Sequence, residues 1–304
     1  MTLKSAILFI IFLIPQMAIS QDWTDKFSWW NQKHNWDGKT HWLKYLTLSP
    51  AYMGPNALPV PEIQNAGISK TPYLEYSNNY YFAPGDHTLD AHIKFVYPFK
   101  ERVKITASIV PVEYFCLKDT LLRDERAIRH KHPRGITTGD LYMSTHIRIL
   151  DKERWPQVVL GFAFKTASGG KTDMARYTDT PAYYFDVSFG HTLKFPGNII
   201  ERIRLYGMGG FYAYQTYNTL HRQNDAFLYG LGINMNLKNI SLENKLGGYT
   251  GYQNLGDRPM VCRFKFNWHK KYVNWFLRYQ YGLNDFPYQA IGFGLQWKLL
   301  KINK

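Results

Sequence analysis

The chain has 304 residues, a formal net charge of +14, an aromatic content of 17% and a mean hydropathy of −0.37. This composition is not that of a helical membrane protein, because after residue 20 no apolar run reaches the roughly 18 residues that a spanning helix needs. With only Cys116 and Cys262 the chain is not a disulfide scaffold either, and one bridge or two free thiols both fit the sequence.

Residues 1–20 have the pattern of a secretory signal peptide. Residues 1–4 carry a positive charge, residues 6–14 form an uncharged apolar run, and the small residues Ala18 and Ser20 fit a cleavage site. The run is too short and wrongly flanked for a good spanning helix. We predict cleavage after Ser20, with a retained N-terminal anchor as the alternative.

Residues 21–72 form a region of their own, rich in tryptophan and then in proline. The stretch "SPAYMGPNALPVPEI" (49–63) argues against continuous sheet, because proline cannot donate a ladder hydrogen bond. We therefore predict an extended or partly helical N-terminal segment that is periplasmic or plugs a larger structure. Its tryptophans are expected to pack against a barrel rim or plug, with a carbohydrate-binding platform as the alternative.

From residue 73 onward, segments of alternating apolar and polar residues follow one another, separated by turn residues. Each is about as long as a tilted strand that crosses the hydrocarbon layer. The segments are 73–82, 87–97, 102–115, 140–150, 156–166, 181–194, 200–214, 226–238, 239–250, 259–268, 271–283 and 288–299. This pattern predicts an all-β fold, an antiparallel transmembrane β-barrel of about 12 strands over residues 73–299, with a tail at 300–304.

The connections between these segments support a barrel independently. From the second onward, short and long connections alternate, as in outer-membrane barrels with short periplasmic turns and longer exterior loops. An even strand number then places both the N- and the C-terminus in the periplasm, and the last strand must pair with the first to remove both sheet edges. A soluble β-sandwich is the alternative, but its strands are usually only about 5–6 residues long.

Two stretches of the chain carry a resemblance to known proteins. "FAFKTASGGKTDMARYTDTPAYYFDVSFG" (162–190) and "RLYGMGGFYAYQT" (204–216), together with the signal peptide and the strand pattern, resemble outer-membrane β-barrel proteins of the Bacteroidota. The resemblance implies an outer-membrane location and a porin-like, transport or secretion-accessory role, without resolving a subfamily. It implies contact with outer-membrane lipids or lipopolysaccharide, and with other envelope proteins as partners.

The inward faces of the predicted strands are basic. Strand parity points the following side chains to the lumen: Lys94, Lys104, Arg148, Lys165, Arg202, Arg204, Arg263, Lys265, Arg278 and Lys298. Asp90, Asp186 and Glu243 point there too. A cationic lining lowers the barrier for negative solutes and predicts an anion-favouring channel. In the alternative, the bases pair with acids and with the N-terminal segment, and the lumen is closed.

The longest loop carries the strongest charge cluster, "LLRDERAIRHKHPRG" (121–135), with a short helix expected over 121–128. We predict that its cations contact anionic sugar or lipid headgroups from an exterior loop: Arg123, Arg126, Arg129, Lys131 and Arg134. Nucleic acid is excluded as a partner by export. A metal pair of His130 and His132 lacks supporting ligands, so we predict no metal or cofactor. In the loop 167–180, the charged residues are expected to pair with one another.

Ser144, His146 and Arg148 share one strand face, which raises the possibility of nucleophilic catalysis. The outer-membrane phospholipase family, which this arrangement resembles, has His before Ser and a lipid-facing site, so the order and the direction both differ here. We therefore predict no catalytic residues. The leading function is a small cation-lined channel for anionic or polar solutes. The alternatives are a non-conducting accessory barrel that partners a secretion or surface-assembly machine and, remotely, a lipid-modifying enzyme.

Overall fold

A computed structural model of the chain describes residues 26–152 and 154–299. The predicted signal peptide and the tail at 300–304 lie outside the described residues. The helices are α1 (Ser28–Lys33) and α2 (Thr120–Glu125), with 3-10 helices at Trp42–Tyr45 and Thr172–Met174. The strands are β1 (Tyr73–Ala83), β2 (Asp86–Phe99), β3 (Val103–Leu117), β4 (Arg134–Thr137), β5 (Leu141–Leu150), β6 (Gln157–Lys165), β7 (Ala182–Lys194), β8 (Arg202–Gln215), β9 (Gln223–Leu237), β10 (Ile240–Gly251), β11 (Met260–His269), β12 (Val273–Asn284) and β13 (Gln289–Lys298).

The chain divides into two compact units between residues 39 and 40. The described part of the first unit, residues 26–39, contains α1, in which the rings of Trp30 and His34 lie 4.9 Å apart. The second unit, from residue 40 onward, contains every described strand. Within the described ranges, no helix has the length and apolar character needed to cross a membrane.

Twelve strands form one closed antiparallel barrel. Consecutive strands pair in chain order, with β3 pairing β5, and β13 pairs with β1 along a seam that runs from Tyr73↔Lys298 to Phe82↔Gln289. The short β4 pairs with the C-terminal part of β3 and is not one of the strands that close the barrel. Every predicted segment overlaps one barrel strand. The predicted 12-stranded barrel and its closure by the first and last strands are confirmed, and the sandwich alternative is wrong because the sheet closes on itself.

The outer face of the barrel is apolar. On β13, Phe293 is 57% exposed and Trp297 is 55% exposed, whereas Ala290, which points inward, is 7% exposed. On β11, Phe264, Phe266 and Trp268 are exposed in the same way, while Asn267, between the last two, is buried. An apolar band of this extent is unfavourable in water and favourable against lipid. The fold therefore fits an outer-membrane location.

The two ends of the barrel differ. At one end, which we call the short-turn end, lie residue 72, residue 299 and the turns 100–102, 151–152 with 154–156, 195–201, 238–239 and 270–272. At the opposite end, the long-loop end, lie the connections 84–85, 118–140, 166–181, 216–222, 252–259 and 285–288. The longest connection carries α2 and β4, so the larger folded loops gather at a single mouth of the barrel.

The main core lies inside the barrel. Residues 54–71, which we call the lumen segment, run through the interior without forming a strand. Leu58, Val60 and Ile63 of this segment are buried in one apolar cluster with wall tyrosines, including Tyr212 and Tyr249, whose rings are 4.8 Å apart. The segment thus occupies the space that would otherwise be an open passage.

Candidate functional site

The lumen segment enters at the long-loop end and leaves at the short-turn end. At its start, the Gly54 amide donates to the Ala175 carbonyl at 2.7 Å, in the 166–181 loop. Midway, the Arg263 guanidinium donates to the Val60 carbonyl at 2.6 Å. At its end, the Lys70 ammonium lies 3.7 Å from the Glu101 carboxylate in the β2–β3 turn. These contacts trace a path along the full length of the barrel.

An isoleucine fixes the middle of the lumen segment against the wall. Ile63 is 2% exposed, and it inserts between Gly230 on β9 and Gly247 on β10. A Cβ atom at Gly230 would lie 2.2 Å from Ile63 Cδ1, and one at Gly247 would lie 2.4 Å from the same atom. The two glycines are therefore required by this contact, because any side chain there overlaps the isoleucine.

A group of five cations lines the wall beside this point, and we call it the cation cluster: Lys94, Lys245, Arg263, Lys265 and Arg278. Two wall carboxylates accompany it, Glu75 and Glu243. Glu75 lies 3.6 Å from Arg278, 3.7 Å from Lys265 and 4.0 Å from Lys94. Five positive charges thus face two negative charges supplied by the wall.

Glu62 of the lumen segment brings a third carboxylate to the cation cluster. Its Oε2 lies 3.4 Å from Lys245 Nζ, and its Oε1 lies 3.9 Å from both Arg263 Nε and Arg278 Nη1. These separations exceed the roughly 2.7–2.9 Å of a tight charge-assisted hydrogen bond. Although the residue is inside the barrel, 41% of its side-chain surface is accessible, because it borders a cavity.

The cavity next to Glu62 has a volume of about 240 Å³. Its lining combines cationic, hydroxyl and amide groups from the wall and the lumen segment, among them Gln64, Lys94, Lys104, Tyr142, Tyr184 and Arg278. Lys104 Nζ donates to Gln64 Oε1 at 2.8 Å across it. The space is large enough for several waters or a small solute, and its polar lining favours either.

A buried network, which we call the mouth network, ties the loops of the long-loop end together: Asp86, Glu113, Arg126, Arg176 and Tyr288. Arg176 donates to Glu113 at 3.0 Å and to Asp86 at 3.1 Å, and Arg126 donates to Asp86 at 2.7 Å. Tyr288 donates to Asp86 at 2.5 Å. Because Arg126, Arg176 and Tyr288 come from three different loops, the network holds those loops over the mouth.

The lumen segment takes part in the mouth network. Asn56 donates to Glu113 at 2.8 Å, and its amide nitrogen also lies 2.8 Å from Asp90. A Cβ atom at Gly54 would lie 2.7 Å from Arg176 Cζ, so the segment passes directly beneath that guanidinium. Closure of the loops and occupation of the lumen are therefore coupled through Arg176 and Glu113.

The ionisation of the loop groups follows from these partners. Burial by itself would lower the pKa of Arg176, but Glu113 and Asp86 raise it above the ordinary value. Burial and then Glu113 raise the pKa of Tyr177 well above its ordinary value, so its hydroxyl stays a donor to Glu113. The hydrogen bond from His130 lowers the pKa of Asp173. Arg176 therefore stays positively charged, and Tyr177 stays protonated, over a wide range of pH.

Most of the predicted lumen cations contact interior groups. Seven do so: Lys94, Lys104, Lys165, Arg204, Arg263, Lys265 and Arg278. The remaining three lie towards the short-turn end. There Arg148 pairs with Asp151 at 2.7 Å, Arg202 is exposed, and Lys298 donates to the Lys270 carbonyl. Their roles in lining a pore stay predictions.

The five cations of the predicted exterior cluster lie in different environments in the structure. Lys131 and Arg134 are exposed on the longest loop, Arg123 pairs with Asp124 at 2.6 Å, and the Arg129 guanidinium lies 5.3 Å from the Trp42 ring centroid. Arg126 is only 2% exposed, so the expectation that it contacts surface anions is wrong. Its partner Asp86 begins β2, and the closed barrel brings that carboxylate beneath the loop.

The charged residues of the 167–180 loop also differ from the prediction. Asp173 pairs with His130 of the neighbouring loop, and Arg176 pairs with Asp86 and Glu113 of the wall. The expected pairing of these two residues within their own loop is therefore wrong. The mouth network explains the difference for Arg176. The carboxylates of Asp86 and Glu113 are buried in the wall and need a positive partner, and Arg176 of the loop supplies it.

The alternative of nucleophilic catalysis finds no assembled geometry at the predicted residues. Neither ring nitrogen of His146 has a hydrogen-bond partner, and its Nε2 lies 3.7 Å from Asp186. Ser144 and His146 both line the cavity but do not bond to each other. Within the described part of the chain, no group of His, Cys, Asp and Glu has metal-site geometry, and Cys116 and Cys262 are both free thiols.

Comparison with known sequences shows no family. No protein-family model matches the chain. Fermitin family homolog 1 from Homo sapiens and from Pongo abelii are each 60% identical to it over 30 residues, which are 10% of this chain and 4% of the relative. The chain thus spans only a small part of the length of these relatives. A Bacteroidota origin and the signal peptide stay predictions.

The barrel is similar to several solved structures. The KdgM porin has a TM-score of 0.46 at 9% identity, covering 74% of this chain and 99% of that chain. The NanC porin has a TM-score of 0.48 at 8% identity, covering 74% and 100%. The CymD monoaromatic hydrocarbon channel has a TM-score of 0.43 at 7% identity, covering 84% and 100%. Because these TM-scores are all below 0.5 and the identities are 7–9%, the similarities do not indicate a solute or a mechanism for this chain.

Some residues of the site were missed by the sequence-based prediction. Glu62 and Ile63 were read only as part of a proline-rich stretch, and Lys245 was omitted from the lumen cations. Signals for two of them were present. Glu62 is the sole acidic residue between residues 40 and 72, and Lys245 stands two positions after Glu243, on the same strand face.

Proposed function

We propose that the protein is an outer-membrane channel for small anionic or polar solutes, closed in the described state by its own lumen segment. The observation that carries this proposal is the cation cluster, in which five wall cations face two wall carboxylates beside a 240 Å³ cavity. Rings of Lys and Arg lower the electrostatic barrier for negative solutes.

The way in which the lumen segment is held also supports a channel. The segment contains no strand, so its displacement would break none of the ladder hydrogen bonds that close the barrel. It is retained by side-chain contacts such as Ile63 between two glycines and by long ion pairs at Glu62. A wall that is complete without its plug can remain folded while the plug moves.

Planar-bilayer recording of the refolded full chain tests the channel. The wild-type barrel is expected to conduct rarely, whereas replacing residues 60–66 by a Gly/Ser sequence of equal length should give frequent, anion-selective openings. The reversal potential in a salt gradient measures the selectivity. Adding Lys94→Gln and Lys265→Gln should move that potential towards the value for a non-selective pore, because two of the five cluster cations are lost.

The matched control replaces residues 216–222, an equally long loop at the long-loop end, by the same Gly/Ser sequence and should leave the barrel closed. Folding of each variant is checked by the gel mobility of unheated and boiled samples. Correctly folded variants that never conduct would remove the channel proposal. A non-conducting barrel that partners a secretion or surface-assembly machine would then be the better function.

The orientation of the barrel is a further part of the proposal. Short turns face the periplasm in outer-membrane barrels. The end of β13 lies at the short-turn end, which agrees with a periplasmic C-terminus. Residues 42–53 lie instead with the long loops, because the Ala51 amide donates to the Gly256 carbonyl and Lys44 borders the 216–222 loop. We therefore place residues 42–53 on the exterior rather than in the periplasm.

Cysteine labelling of intact cells tests this orientation. With Cys116 and Cys262 replaced by alanine, a Lys44→Cys variant is expected to react with a membrane-impermeant maleimide. A Lys70→Cys variant, whose parent side chain is 80% exposed at the short-turn end, should react only after the outer membrane is permeabilised. The reverse pattern would show that the long loops face the periplasm.

Contact with lipopolysaccharide stays part of the proposal at two exposed cations. Lys131 and Arg134 lie on the longest loop at the long-loop end, where they would meet the anionic headgroups of the outer leaflet. Arg126 is not included, since it is committed to Asp86 in the mouth network.

A further inference from the structure

We infer that the cation cluster is a binding site for a carboxylate-bearing solute and that Glu62 occupies it in the closed state as a tethered ligand. The inference rests on the proposed function only in that the solute reaches the cluster through the lumen. A carboxylate already lies in the site: one oxygen faces Lys245 at 3.4 Å, and the other faces Arg263 and Arg278 at 3.9 Å.

The geometry shows that the tethered carboxylate is held short of optimal contact. All three separations are longer than the roughly 2.7–2.9 Å of direct charge-assisted hydrogen bonds. The backbone on either side of Glu62 is fixed, since the Pro61 carbonyl accepts from Arg263 and Ile63 is inserted into the wall. A free carboxylate has no such restraint and can approach the same cations more closely.

Displacement of the lumen segment would also make more of the site available. In the closed state Arg263 donates to the carbonyls of Val60 and Pro61, so that two of its nitrogens are used by the segment. When the segment leaves, those nitrogens become available, and five cations face only Glu75 and Glu243. The charge of the site therefore becomes more positive as it opens, which favours an anionic ligand at that moment.

The cavity supplies the room for the rest of a solute. The accessible part of Glu62 borders a space of about 240 Å³ lined by Gln64, Tyr73, Tyr81 and Tyr184, which offer amide and hydroxyl groups. Such a lining suits a small, polar carboxylate better than an apolar one. A solute of this class and the segment compete for one site, so binding of the solute would favour the open lumen.

A rescue experiment that measures thermal stability tests the site without a conductance measurement. Glu62→Ala removes the tethered carboxylate and leaves its volume empty, so sodium acetate should bind there and raise the temperature at which the barrel loses its folded gel mobility. We expect a rise of about 3 °C or more in Glu62→Ala and none in the wild type. Acetamide, which has the same shape without the charge, and sodium chloride at matched ionic strength should have no effect.

Loss of a cluster cation should abolish the rescue. The double variant Glu62→Ala/Lys245→Met is expected to lose most of the acetate response. An equal response of Glu62→Ala to acetate and to acetamide or chloride would overturn the inference. A clear acetate response in a barrel that never conducts would support the site while removing the channel.

A second measurement uses the wild-type chain and covers the case in which Glu62→Ala does not fold. Acetate competes with Glu62, so replacing chloride by acetate at constant ionic strength should increase the frequency of openings in planar bilayers by roughly threefold or more, by mass action on the closed state. Acetamide should not do so. An unchanged frequency in acetate would count against the tethered ligand.

Discussion

Replacing Arg176 by alanine is expected to destabilise the folded barrel by roughly 3–5 kcal/mol, because it removes one partner from a buried ion-pair network. The Arg176 side chain is 1% exposed, and it donates to Asp86, Thr88 and Glu113. Without it, Glu113 keeps only the neutral donors Tyr177 and Asn56, while Asp86 keeps Arg126 and Tyr288. The temperature at which gel mobility changes measures the loss.

The same substitution should also loosen the mouth of the barrel. Arg176 lies directly above Gly54, and its loss removes the packing of the guanidinium on the lumen segment, so that the backbone bond from Gly54 to Ala175 has to hold the 166–181 loop there. We expect faster proteolysis in that loop and more frequent channel openings. Arg176→Lys should recover little of the stability, since an ammonium cannot donate to three partners in the fork geometry of a guanidinium.

Arg222→Ala is the matched control for Arg176→Ala. Arg222 is exposed in the 216–222 loop at the same end of the barrel, and its removal should change stability by no more than about 0.5 kcal/mol. If Arg176→Ala behaved like Arg222→Ala, the mouth network would not hold the loops. The prediction therefore separates a buried network from a general effect of lost positive charge.

The barrel could be predicted from sequence because it results from a periodic alternation of apolar and polar residues along each strand. On β13, Phe293 and Trp297 face outward and Ala290 faces inward, and a two-residue repeat specifies these directions without knowledge of any partner. The direction of Arg263 and Arg278 followed from the same repeat. Strand parity therefore gave both the fold and the basic character of the interior.

The partners of those side chains could not be predicted. Glu62 meets Lys245 and Arg278 across long stretches of sequence, and only the closed barrel with a threaded segment brings them together. The environment of Arg126 was predicted wrongly for the same reason. A run of charges usually indicates a solvated loop, and its partner Asp86 has the sequence context of an ordinary turn residue, after Pro84 and Gly85. Local sequence predicts the direction in which a side chain points but not the group that it contacts.

Gly230→Ala is expected to displace the lumen segment from the wall, because the added Cβ atom would lie 2.2 Å from Ile63 Cδ1 and 2.6 Å from Ile63 Cγ1. Ile63 cannot shift sideways along the wall, since Gly247, which pairs with Gly230 on the neighbouring strand, flanks the same methyl group, so the side chain must move into the lumen. Overpacking of this kind costs roughly 1–3 kcal/mol. We expect a lower transition temperature in the gel assay and, on the proposed function, more frequent openings.

A double-mutant cycle shows whether this effect acts through Ile63. Ile63→Ala removes the overlapping atoms and should cost roughly 2–5 kcal/mol by itself, as a large-to-small change in a buried site. Combined with Gly230→Ala, it should cost less than the sum of the two single changes, by roughly 1–2 kcal/mol, because the alanine at 230 then fills vacated space.

Gly209→Ala on β8 is the control, since a Cβ atom there meets nothing within 4 Å, and it should leave both stability and closure unchanged. Additive effects at positions 63 and 230 would mean that the isoleucine is not held by the two glycines. In that case the segment would be retained mainly by Glu62 and the mouth network, and Gly230→Ala would not open the lumen. Coupling at this one pair thus decides whether closure depends on shape or on charge.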